Sequence, residues 1–237
     1  MTAPNNDNLA ILIDADNAQA SPIHELLEEV SRYGTASVKR AYGDWSTPQL
    51  KKWKEELHTH AIKPVQQFSY TKGKNSTDSA LIIDAMDLLH TGALNGFCLV
   101  SSDSDFTPLA TRIRESGLVV YGFGERKTPQ PFVAACDNFI YTDILKPPKT
   151  KGAASKPKTP SPTKNLREAV DKAAGDDGWA NLGTVGSMLV KNDPSFDSRN
   201  YGFRKLIELV NEQPYLEVRK EKPASGTGGT TISVRLK

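Results

Sequence analysis

Residues 9–17 read LAILIDADN, five apolar side chains followed at once by Asp14, Ala15, Asp16 and Asn17. Five residues is strand length and too short for a buried helix, and a run that breaks off at acids delivers carboxylates to the point where a core strand meets solvent. The same pattern recurs at 36–41, 61–65, 96–101, 119–123 and 139–141, with helical stretches at 20–33, 48–58, 77–91, 106–116 and 130–136 between them. Strands alternating with helices predict an α/β domain over residues 1–145, built on a largely parallel sheet. Pro22 and Pro48 near two helix starts, and Gly117 after a later helix, agree with those boundaries.

Beyond this domain the stretch 146–164, KPPKTKGAASKPKTPSPTK, carries six lysines, no carboxylate and no apolar periodicity, the composition of a flexible, extended tether. Residues 165–237 then predict helices at 165–175, 182–191 and 199–211, followed by strands at 215–220 and 230–236 joined by the turn ASGTGGT. That order predicts a second, small winged helix-turn-helix domain, an architecture suited to binding more than to catalysis. With 38% hydrophobic and 24% charged residues, the 237-residue chain can bury two modest cores. The net charge of +2 hides an imbalance: residues 1–145 carry 13 Lys and Arg against 18 Asp and Glu, and residues 165–237 carry 11 against 10. A polyanionic partner must therefore be held by local basic patches and the tether, not by the overall field.

The acids of the first domain gather at strand ends. Asp14, Asp16 and Asn17 end one strand, GFCLVSSDSDF at 96–106 puts Asp103 and Asp105 just past another, and Asp78 opens the helix that starts near Thr77. Ligands of open parallel sheets bind beyond the carboxyl ends of the strands, where the strand order reverses. If the two strands are neighbours at that point, these acids share one rim. Each acid alone also reads as a helix cap or an Asx turn. Gathered together they repel and call for a counterion, and hard oxygen donors suit Mg²⁺ or Mn²⁺. Such an ion activates water and stabilises charge on a phosphodiester, so the expected chemistry is hydrolysis leaving a 5′ phosphate. Asp84 and Asp87 read equally well as helix-surface salt-bridge partners. Lys72 and Lys74, in a Gly-containing loop before Asp78, are candidate phosphate contacts, although no Walker motif is present. Arg40 near the end of the second strand, and Arg199, Arg204 and Lys205 in the last predicted helix, are candidate nucleic-acid contacts, each weighed against a bland structural role.

The motifs IDADN at 13–17, KGKNSTDSALIIDAMDLL at 72–89 and LVSSDSDFTPLATRIRESG at 99–117 together resemble the NYN branch of the PIN-like nuclease superfamily. The resemblance implies a Rossmann-like sheet and a metal-dependent ribonuclease site. It places metal-binding roles on Asp14, Asp78, Asp103 and Asp105, with Asn17 as the polar residue after the first acid. Many relatives have Gly where this chain has Ala15 or Asp16, so Asp16 either adjusts the metal site or points outward. Residues 178–219, GWANLGTVGSMLVKNDPSFDSRNYGFRKLIELVNEQPYLEVR, resemble an OST-HTH/LOTUS domain, whose Asp197, Arg199, Tyr201, Gly202 and Phe203 cluster is distinctive. That resemblance implies RNA binding. The combined expectation is a Mg²⁺- or Mn²⁺-dependent ribonuclease targeted by a C-terminal RNA-binding domain. A non-cleaving RNA-binding regulator and a protein-interaction adaptor are the alternatives, and self-association into a homo-oligomer stays open.

Other classes fall away. The run LAILI is cut short by Asp14 and preceded by no Lys or Arg, which fits neither a signal peptide nor a membrane span and suggests a cytoplasmic protein. Cys98 and Cys136 are too few for a disulfide framework, and His24, His58, His60 and His90 lack zinc spacing.

Overall fold

The opening run forms β1 (Asn8–Asp14), the hub of a six-stranded sheet. Its partners are β2 (Thr35–Gly43), β3 (Lys63–Gln66), β4 (Gly96–Val100), β5 (Val119–Gly124) and β6 (Asn138–Tyr141). Every pairing is parallel and the order is β3-β2-β1-β4-β5-β6. Helices cover both faces, which explains why β1 is apolar throughout and does not alternate. Ala10 and Leu12 pack on the side of α3 (Ser76–His90), α4 (Thr107–Glu115) and α5 (Gln130–Ala135). Leu9, Ile11 and Ile13 pack on the side of α1 (Ile23–Val30) and α2 (Lys51–Thr59). The computed structural model describes residues 7–68, 76–145, 161–221 and 231–237, and the chain divides into two compact units, Met1–Pro147 and Pro148–Lys237. Among the described residues no helix is long and apolar enough to cross a membrane.

The α/β expectation holds, with local corrections at element ends. α1 is shorter than the predicted 20–33 because Pro22 sits at its N-cap, while Arg32 and Tyr33 turn their amides to the carbonyls three residues back, Glu29 and Val30. β3 starts at Lys63 and not at 61, since Ala61 takes a left-handed conformation (φ 50°) that reverses the chain after α2. The strand order turns back between β1 and β4, whose ends pair as Ile13 with Val100. Both acidic strand ends therefore do meet at the sheet's switch point.

The second unit builds α6 (Thr163–Ala173), α7 (Leu182–Asn192) and α8 (Leu206–Asn211) around a core that includes Leu166, Val185, Leu189, Leu209 and Val234. A three-stranded antiparallel sheet joins them, with a two-residue β7 (Ala180–Asn181) beside β9 (Thr231–Leu236), and β8 (Leu216–Glu221) on the other side. The expected single helix at 199–211 is wrong. A 3₁₀ turn over Ser198–Tyr201 ends at Gly202, whose φ of 89° stops helix propagation, and α8 begins only at Leu206. The last residues expected in the tether belong to α6, which starts at Thr163; residues 146–160 lie outside those described. The predicted ASGTGGT turn also lies outside them, through residue 230.

Candidate active site

Three carboxylates converge where β1 and β4 end. One oxygen from each of Asp78, Asp103 and Asp105 lies within 4.8 Å of the others, Asp78 being buried, Asp103 half-buried and Asp105 exposed. Asp78 comes from the first turn of α3. Asp103 and Asp105 come from the turn between β4 and α4, where Asp103 Oδ1 accepts the Asp105 amide at 2.9 Å and caps a 3₁₀ turn over Ser104–Phe106. Asp103 thus caps the turn and at the same time stands in the converging cluster. The cap is what bends the chain so that Asp105, two residues on, returns to the same point.

Asp14 is not one of these three. It is fully buried at the end of β1, where its Oδ2 accepts the Ser101 hydroxyl at 2.7 Å and the Asn17 side-chain amide at 2.9 Å. The Asn17 backbone N–H adds a longer bond to Oδ1 at 3.3 Å. Ser101 Oγ in turn accepts the Asp103 amide at 3.1 Å, so one hydroxyl links Asp14 to the converging acids. Asp16, exposed overall, has its carboxylate engaged. Its Oδ2 accepts the Thr77 hydroxyl at 2.8 Å and its Oδ1 accepts the Asp44 amide at 3.3 Å. Thr77 immediately precedes Asp78, so Asp16 ties the start of α3 to the end of β1 and sets where Asp78 stands. Gly43 makes room for this tie, because a Cβ there would come within 3.1 Å of Asp16 Oδ1 and 2.7 Å of Leu50 Cδ1.

This crowding shows in proton affinity. Burial, and then the charges of Asp14, Asp103, Asp105 and Asp16, push Asp78 from 3.8 up to about 6. Burial also raises Asp14, against the lowering effect of the Ser101 and Asn17 hydrogen bonds. An acid whose proton affinity is raised by burial and by neighbouring carboxylates, among donors that are all hard oxygen atoms, fits a divalent cation: the cation replaces the repulsion with attraction. Ser101 and Thr77 escaped the sequence reading, since a hydroxyl beside an acid carries no signal until the fold shows what it bridges.

The basic candidates fare differently. Arg40, on β2, is ion-paired with Asp84 of α3, and the Tyr42 hydroxyl donates to the same carboxylate. Asp84 and Arg40 thus fasten α3 to the sheet. Lys72 and Lys74 lie outside the described residues. Arg199 forms a two-pronged pair with Asp197, with contacts of 2.6–3.0 Å inside the turn that Asp197 caps. Arg204 and Lys205 are exposed just ahead of α8, where Glu208 accepts the Arg204 amide at 2.9 Å. A cluster the sequence did not suggest lies on the sheet of the second unit, where the guanidinium groups of Arg219 and Arg235 lie 4.4 and 4.6 Å from the Trp179 ring.

Comparison with known families agrees with this organisation. The NYN domain family matches residues 8–145, and the OST-HTH/LOTUS domain family matches residues 157–226. No curated protein matches the chain. Among solved structures it is similar to a protein of unknown function from Vibrio parahaemolyticus at 20% identity, covering 60% of this chain and 96% of that one, with a TM-score of 0.49. An uncharacterized protein from Nitrosomonas europaea is similar at 32% identity over 39% of this chain and 88% of that one, with a TM-score of 0.32. A segment of a Chromobacterium violaceum protein is similar at 38% identity over 34% of this chain and 84% of that one, with a TM-score of 0.27. With its parallel sheet, its acids at the switch point and the family match over the whole first unit, the chain belongs to the NYN family of PIN-like domains, followed by an OST-HTH/LOTUS domain.

Proposed function

We propose that this protein is a divalent-metal-dependent ribonuclease whose C-terminal domain holds its RNA substrate. The convergence of Asp78, Asp103 and Asp105 oxygens within 4.8 Å at the switch point carries the reading. These three hold the cation. When bound, Mg²⁺ or Mn²⁺ supplies Lewis-acid charge and lowers the pKa of a coordinated water. Asp14 supports the site from beneath, its charge adding to the attraction for the cation and its hydrogen bonds fixing Ser101 and Asn17. Asn17 has its amide nitrogen engaged with Asp14, which leaves its carbonyl oxygen as an acceptor at the rim. In the net reaction a water oxygen bonds to phosphorus while the bond from phosphorus to the 3′ oxygen breaks, leaving a 5′ phosphate and a 3′ hydroxyl.

The second unit acts in this reading as an RNA-binding domain, beginning with α6 at Thr163 and tethered to the nuclease through the lysine-rich stretch before it. Weak binding there raises the local concentration of RNA at the acidic rim, provided one molecule reaches both surfaces. Arg204 and Lys205 are the exposed cations proposed to meet phosphate, and Arg199 contributes through the turn it stabilises. The decisive test is cleavage of end-labelled structured and unstructured RNAs by the full chain in Mg²⁺, Mn²⁺ or EDTA, with Asp103→Asn as the control for contaminating nuclease. Metal-dependent scission lost in the variant is the expected result. Binding without scission at any metal would make the protein a non-cleaving RNA-binding regulator.

A further inference from the structure

In the ribonuclease reading an acidic rim repels the strand, and a cation held at its centre would act on one phosphate only. Beside Asp103 lies an open cleft of about 180 Å³, lined by Asn17, Ser102, Asp103, Ser104, Lys127 and Pro129. One wall belongs to the turn after β4 that carries Asp103. The other belongs to the turn between β5 and α5, and it brings Lys127.

That second turn is anchored. Glu125 donates its backbone N–H to Ser102 Oγ at 2.8 Å, and its carbonyl accepts the Thr128 hydroxyl at 2.6 Å. Its carboxylate accepts Gln19 Nε2 at 3.0 Å on one oxygen and lies 3.1 Å from the Lys127 ammonium on the other. Arg126, the neighbouring cation, is engaged elsewhere, 3.1 Å from Asp143 and 4.3 Å from the centre of the Tyr141 ring. Lys127 is therefore the cation that lines the cleft among the described residues. Its side chain is 71% exposed, so its attraction to Glu125 is weak and yields readily to a phosphate. Ser102 uses its oxygen as an acceptor for Glu125, which leaves its hydroxyl hydrogen for another acceptor.

We propose that this cleft seats the phosphate adjoining the scissile one in a ribonucleotide chain, with the Lys127 ammonium and the Ser102 and Ser104 hydroxyls as donors. The identity of the ligand rests on the ribonuclease reading, and the anion seat does not. Lys127 thereby offsets, one nucleotide away, the repulsion between RNA and the rim.

The test is an NMR titration of isotope-labelled full chain with adenosine 3′,5′-bisphosphate in Mg²⁺, a probe that spans one ribose and has no diester to cleave. Amide shifts are expected at Ser102–Ser104 and at Lys127 and Thr128. Lys127→Gln is expected to weaken this binding at least about tenfold, the order of one lost charge-assisted contact, and Lys127→Arg to restore it. An otherwise unchanged spectrum shows that the variants fold. Shifts confined to residues beyond 160, or an unchanged affinity in Lys127→Gln, overturn the seat. Equal affinity for inorganic phosphate, run as a separate arm, overturns its assignment to a nucleotide. Failure of the ribonuclease reading looks different: RNA stays intact in Mg²⁺ and Mn²⁺ while the cleft shifts and their Lys127 dependence remain.

Discussion

The acidic rim of the first unit and the surface of the second handle charge in opposite ways. In the first, acids from β1, α3 and the turn after β4 are drawn together, and burial and the charges around it push Asp78 up to about 6. In the second, charges are matched locally: Arg199 with Asp197, Arg235 with Glu217 and Arg219 with Glu221, while Arg219 and Arg235 also lie over Trp179. Concentrated like charge is unfavourable for folding and is relieved by a proton or a cation. Matched charge leaves little field to direct a ligand, so the RNA binding proposed for this unit would rest on shape and a few exposed cations.

The largest expected effect tests the first half of that contrast. Asp103→Asn or Asp78→Asn should lower metal-dependent RNA cleavage by at least about 100-fold, with circular dichroism and RNA retention unchanged. Asp14→Asn should cost less, about 10–100-fold, because Asp14 acts through Ser101, Asn17 and its field. Equal losses in single-turnover assays would place Asp14 among the direct ligands and redraw the site.

Proton and metal compete for Asp78. Below about pH 6 this acid takes up a proton, so Mg²⁺ affinity should fall by up to about tenfold per pH unit there and level off above it. Calorimetric titration of the full chain from pH 5 to 8 measures this, and a flat profile would mean that the cation does not engage Asp78.

In the second unit the expected weak point is backbone conformation, not charge. Gly202→Ala leaves room for the added methyl, but the left-handed φ of 89° should cost about 1 kcal/mol, or roughly 4–8 °C in the melting of a unit this size. Arg235→Ala, which removes an exposed pair with Glu217, should shift that transition much less.

The smallest effect carries the most informative sign. Folding raises Asp78 from 3.8 to about 6, so the folded state binds more protons between those values, and stability falls as pH climbs through that window. Above about pH 6 the loss is complete. Asp78→Asn should therefore raise the melting temperature in EDTA at pH 7–8 by about 2–4 °C, and the gain should vanish below about pH 4. The first turn of a helix ordinarily favours an acid, and the raised proton affinity shows that repulsion and burial outweigh that benefit here. Added Mg²⁺ should reverse the ranking by stabilising only the parent.

Much of this was legible in the residues alone. A five-residue apolar run buried on both faces can only be a central strand between helices, and LAILID therefore announced the sheet and the acid at its end. Chain order also carried the family motifs. What stayed hidden were relations between segments far apart in sequence. Asp16 is 61 residues from Thr77, and Ser101 is 87 from Asp14, yet each pair shares a hydrogen bond that positions the acids. The sequence placed Asp103 and Asp105 just past a strand, and it is the 3₁₀ turn capped by Asp103 that brings both to one point. The helix expected at 199–211 failed at Gly202, where apolar spacing continued across a residue whose backbone conformation ends a helix.

Local pattern thus determined the elements, their alternation and the residue types at the strand ends, because burial and backbone sterics act over a few residues. Only the tertiary structure decided which acids meet, which one stands behind them and which cations are already engaged with partners. Those outcomes depend on hydrogen bonds and Coulomb interactions across the sheet's switch point, and such forces take effect only between groups that folding has brought within a few ångströms.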